Sequence, residues 1–141
     1  MALPTVGGGY QYTDGNQNEV EFVPQPTPAT ASVTATLTAA QLAAGIITIN
    51  QAGAAACTLT LPTGALMDAT FTNMQNNTAF DIAFINVSTV DAEDATIAVG
   101  TGWTLVGNVT VAANSGVTVI SSALFRARRT AAATWTLYRL S

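Results

Sequence analysis

The chain has 141 residues and a formal net charge of −4, from 4 Lys and Arg and 8 Asp and Glu, with no histidine. Charged residues make up 9% and apolar residues 49%, against about 25% charged in an average soluble domain, so one domain with a core and a neutral-polar surface is expected. With no histidine, no lysine and one cysteine the usual equipment for catalysis is missing, and four cations, all between Arg126 and Arg139, are too few for nucleic acid, where affinity rests on phosphate neutralisation.

Residues 1–30 read as an extended arm and residues 31–141 as the folded body. Gly7, Gly8 and Gly9 are a flexible spot, and Tyr10, Tyr12, Val20, Phe22 and Val23 are apolar anchors in polar sequence. The alternating Pro24, Pro26 and Pro28 favour polyproline II and exclude helix. Fully extended at roughly 3.3 Å per residue, such an arm reaches about 90 Å. Its aromatics set it apart from a plain disordered tail and predict ordering against a partner. The opening Met-Ala-Leu-Pro lacks the basic and apolar regions of a signal peptide, so synthesis in a cytoplasm without obvious export is expected.

From Ala31 the pattern is β. Val33, Ala35 and Leu37 alternate with Thr34, Thr36 and Thr38. Thr38 and Gln41 then match a capping box and Gly45 a helix stop, which predicts one or two helical turns. Leu37–Ile49, the most apolar stretch, is too short to span a bilayer. Strands are predicted at Ile46–Asn50 and Cys57–Leu61, then a short helical turn at Ala65–Ala69. Phe80–Val87 is apolar on both faces and should be a central strand. Thr96–Val99, Trp103–Val106 and Val109–Val111 follow, the last two joined by a Gly107-Asn108 turn. Val117–Arg128 is predicted to be the longest strand and Thr134–Leu140 the last. Together these predict an all-β fold: a single jelly-roll-like β-sandwich or barrel of about eight short strands behind an extended N-terminal arm. No period of about 20–50 residues repeats, which argues against a solenoid.

Cys57 lies in an alternating run and reads as buried and inert. Asp91, Glu93 and Asp94 do not match a calcium-loop spacing and read as a solvated acidic turn. No catalytic residue, cofactor or metal site is expected. Arg126 and Arg128, two apart, should share one face of their strand, and Arg139 could join them if the last two strands pair. Such a cluster clamps carboxylates bidentately, either Asp68, Asp81 or Glu93 of its own chain or acidic residues of a neighbouring subunit. Trp103 and Trp135 would be the platform of a carbohydrate-binding module if exposed, but both fall inside strand patterns.

Four segments carry a resemblance: Leu37–Asn50 (LTAAQLAAGIITIN), Leu59–Gly64 (LTLPTG), Val99–Val111 (VGTGWTLVGNVTV) and Thr134–Arg139 (TWTLYR), with Phe80–Ser88 between them. In this order they resemble the small head-decoration, or cement, proteins of tailed bacteriophages, over roughly residues 33–140. The resemblance implies a homotrimer in the virion, on the outer face of an icosahedral head, bridging major capsid protein subunits. It carries over no catalytic or binding residue. It implies neither nucleic acid nor membrane as a partner. The expected protein interface comprises Tyr10, Tyr12, Phe22 and Val23 of the arm and Arg126, Arg128 and Arg139 of the body. A phage fibre module binding a receptor or carbohydrate is the alternative.

Overall fold

The computed structural model describes residues 24–53, 55–116 and 120–141. Strand β1 (Ala29–Ala31) follows the proline run and lies parallel to β3 (Ile46–Ile49), with Ala29 beside Ile47 and Ala31 beside Ile49. Between them come β2 (Ala35–Thr36) and helix α1 (Ala39–Ala43). The Thr38 hydroxyl accepts from the Gln41 N–H at 3.2 Å, and the Gln41 side chain accepts from the Thr38 N–H at 2.8 Å. This reciprocal pair satisfies two donors that the start of a helix leaves open. Leu42 is fully buried beneath α1. Gly45, at φ +76°, then turns the chain into β3 in a conformation that a side chain disfavours.

The remaining elements are β4 (Cys57–Thr60), α2 (Gly64–Thr70), β5 (Ala79–Asn86), β6 (Ala95–Ala98), β7 (Trp103–Val106), β8 (Thr110–Val111), β9 (Ser122–Ala131) and β10 (Thr134–Arg139). They form a six-stranded sheet in the order β1-β3-β5-β9-β10-β7 and a four-stranded sheet in the order β2-β4-β6-β8. From β1 to β6 the chain alternates between the two sheets, and each strand from β3 onward lies parallel to the one two before it. The chain therefore winds, with turns of unequal length: Ala29 is paired with Ile47, but Ile46 with Ala83. Beyond β6 the direction reverses. Strand β8 runs antiparallel to β6 and β9 antiparallel to β5. Strand β10 pairs antiparallel with β9 and parallel with β7.

This corrects the expected fold class. The molecule is mixed α/β, with two helices among the described residues and with sheets that combine parallel and antiparallel pairs, and is not an all-β jelly-roll-like sandwich of about eight strands. The physical reason is connectivity. A period of two reports which face a side chain takes, not which way the neighbouring strand runs. Parallel neighbours need a crossover, and here the crossovers are the excursions into the opposite sheet. Gly107-Asn108 shows the same point. It joins β7 to β8, but these strands sit in different sheets, so it closes no hairpin.

One core is shared by both sheets. Ile47, Ile49, Ile82, Phe84, Phe125, Trp135 and Leu137 come from the larger sheet, and Leu59, Ile97 and Val111 from the smaller. Each large side chain buried in this way contributes about 1.5–3 kcal/mol. Phe84 and Phe125 meet edge to face, with centroids 5.6 Å apart. Strand β5 is central, as its sequence predicts, between β3 and β9.

Candidate functional site

Three of the four arginines lie on β9, an interior strand of the larger sheet. Alternation along β9 buries Ala123, Phe125 and Ala127 and turns Arg126 and Arg128 to the outer face. Register sets their neighbours: Arg126 lies between Asp81 of β5 and Tyr138 of β10, and Arg128 between Ala79 and Thr136. Arg126 donates Nε and Nη2 to the two oxygens of Asp81 at 2.7 and 2.8 Å. Arg128 donates Nη2 to Asn77 Oδ1 at 2.5 Å. The fork over Asp81 lowers its carboxyl from the ordinary value and raises the Arg126 guanidinium.

Arg139 does not join this face. It is paired with Phe125 and shares the inward parity of Trp135 and Leu137. Its Nη1 donates to the Thr110 carbonyl at 2.5 Å, its Nε donates to the Ser141 carbonyl, and the guanidinium carbon sits 5.8 Å from the centre of the Phe125 ring. Strand pairing, on which its recruitment depended, is present, but the register offsets the residue by one, which moves it to the opposite face. Tyr10, Tyr12, Phe22 and Val23 lie outside the described residues.

The more sheltered ion pair joins Arg129 and Asp68. Arg129 donates Nε and Nη2 to Asp68 at 2.9 and 2.7 Å and Nη1 to Asn76 Oδ1 at 2.6 Å. Asp68 also accepts from the Ala133 N–H at 2.8 Å and from Trp135 Nε1 at 3.0 Å. Arg129 first, and then these two donors, hold the Asp68 carboxyl well below the usual carboxylate range, against the opposing effect of burial. Sequence reasoning names Asp68 only as one of three possible acceptors. Its place on the turn of α2 that faces β10 is set by tertiary packing.

The acidic turn differs from expectation. Glu93 is only 1% exposed rather than solvated. Asn86 Nδ2 donates to the Glu93 carbonyl at 2.8 Å and so draws the loop inward. Asp94 accepts from the Ala113 N–H and Asp91 from the Ser115 hydroxyl, so each acid has a different local role. Among the described residues no group of three His, Cys, Asp or Glu is placed to hold a metal ion. Cys57 is buried, and that burial raises its thiol pKa, opposed by the Gln51 amide bonded to its sulfur. No described helix is long and apolar enough to cross a membrane.

The tryptophans do not make an open platform. Trp135 is fully buried, and Trp103 lies against it with ring centres 5.5 Å apart and its Nε1 donating to the Pro62 carbonyl. What the arrangement offers chemically is internal engagement of the cations: Arg126 and Arg129 pair with carboxylates, while Arg128 and Arg139 donate to neutral oxygens of their own chain. Comparison of the chain with known protein families, curated proteins and solved structures returns no match.

Proposed function

We propose that this chain is a structural assembly module, one that works by contact with other protein surfaces. The observation that supports the reading is the engagement of all four arginines within the chain, which leaves a surface of Thr, Ser, Asn, Gln and Ala to meet a partner. A chain with only 9% charged residues suits permanent assembly.

Within that class, the segments at Leu37–Asn50, Leu59–Gly64, Val99–Val111 and Thr134–Arg139 point to a decoration protein of a tailed-phage head. It would be a homotrimer on the outer capsid surface that bridges neighbouring major capsid subunits. Closed three-fold symmetry matches three-fold sites on an icosahedral lattice. The fibre alternative is weakened by the burial of Trp135 and the packing of Trp103 against it, which removes its sugar-binding platform. The test is co-sedimentation of the full chain with undecorated heads at micromolar concentration, beside sedimentation of the chain alone. Saturable binding and a trimeric mass are expected. A monomer that ignores heads and binds glycans would overturn the proposal in favour of the fibre.

A further inference from the structure

A groove of about 440 Å³ opens between the end of α1, the segment after α2 and the start of β5. Ala43, Phe71, Met74 and Phe80 supply its apolar wall. Phe71, Met74 and Phe80 are half-buried and pack against the core from one side. Among the described residues nothing covers the side that faces the groove, which forgoes the dispersion contacts that partner atoms would give.

The described chain enters beside this groove. Gln25 Nε2 donates to the Ala44 carbonyl at 2.7 Å, one residue from Ala43 of the groove wall. Phe22 stands three residues before Gln25, a reach of roughly 10 Å at most. Val23 stands two residues before Gln25. Phe22 and Val23 are apolar, as the wall is, and a tether this short gives them a high effective concentration at the groove.

We propose that the groove formed by Ala43, Phe71, Met74 and Phe80 is the seat of Phe22 and Val23 of the same chain. The seat would fix the point and direction from which residues 1–21 leave the body. The inference concerns the isolated protein and stands whether or not the chain decorates a capsid.

Amide exchange of the ¹⁵N-labelled full-length protein tests it. The Phe71, Met74 and Thr78 N–H groups donate to the carbonyls of Met67, Phe71 and Gln75, and so report opening of the groove wall. In Phe22→Ala these three should exchange roughly tenfold faster, while Ile97 of β6 is unchanged. Phe22→Leu should fall between, and Tyr10→Ala should match wild type. Unchanged exchange in Phe22→Ala overturns the proposal, and so does an equal acceleration at Ile97. Recovery of protection when excess unlabelled wild type is mixed with labelled Phe22→Ala also overturns it, because a second copy would then fill the groove.

Discussion

Asp68 accepts four hydrogen bonds from three parts of the chain: two from Arg129 of β9, one from the Ala133 N–H in the turn, and one from Trp135 of β10. It thereby ties α2 to the β9–β10 turn. The partners are mostly sheltered, with the Arg129 and Asp68 side chains 17% and 22% exposed. Asp68→Ala removes all four bonds and strands their donors, so it should cost about 2–4 kcal/mol in urea unfolding. The acid limb follows from linkage. Asp68 has a folded pKa below its unfolded one, so its contribution is complete above about pH 4–5 and is lost as pH falls further. Stability measured from pH 7 downward should therefore stay level and then drop, and Asp68→Asn should flatten that drop. The Arg126 pair differs because its side chains are 50% and 39% exposed, and exposed pairs contribute little. Arg126→Ala with Arg128→Ala should lower the melting temperature less than Asp68→Ala does, and leave head binding unchanged. Lost binding at full stability would instead place these two residues at an interface with the partner.

At the scale of elements, two glycines fix how α2 meets the sheet. A Cβ on Gly64 would overlap the Ala133 carbonyl oxygen and approach Trp135, and a Cβ on Gly102, at φ +88°, would strike the same carbonyl. Backbone here packs on backbone, and neither side can rotate away. Gly53 is the control: it has φ +89° but open space around its missing side chain. Gly64→Ala should destabilise by about 2–3 kcal/mol in thermal unfolding, and Gly53→Ala by about 1 kcal/mol from backbone strain alone. Equal effects would show that the close approach relaxes. The same elements show what a sequence discloses. The Thr38–Gln41 box, the Gly45 stop and the apolar β5 are local chemistry, and each forms where the residues imply. The Ser122 start of β9, the burial of Glu93 and the inward turn of Arg139 are not local, because they depend on which strand lies alongside and in what register. Alternation cannot distinguish a chain that winds between two sheets from one that folds back within a single sheet.

At the scale of the molecule, short edges and engaged cations decide how it can be bound. Strands β1 and β7 end one sheet and β2 and β8 the other, and none exceeds four residues. Edges this short offer little template for uncontrolled strand pairing. Exposed apolar side chains are spread over the body, among them Val33 at 60%, Leu66 at 56% and Ile120 at 72%. A partner would therefore meet hydroxyls, amides, isolated apolar groups and a few exposed acids such as Asp91, while the guanidiniums stay occupied by acceptors of the same chain. Association through such contacts gains little from long-range attraction, which salt would screen beyond a Debye length of about 10 Å at 0.1 M. Occupancy of undecorated heads by the full chain should accordingly change less than about twofold between roughly 0.05 and 0.5 M NaCl. Modestly tighter binding at high salt would fit apolar burial. A loss of roughly tenfold or more across that range would show that the exposed acids meet cations on the partner, and that ion pairs rather than neutral contacts hold the two together.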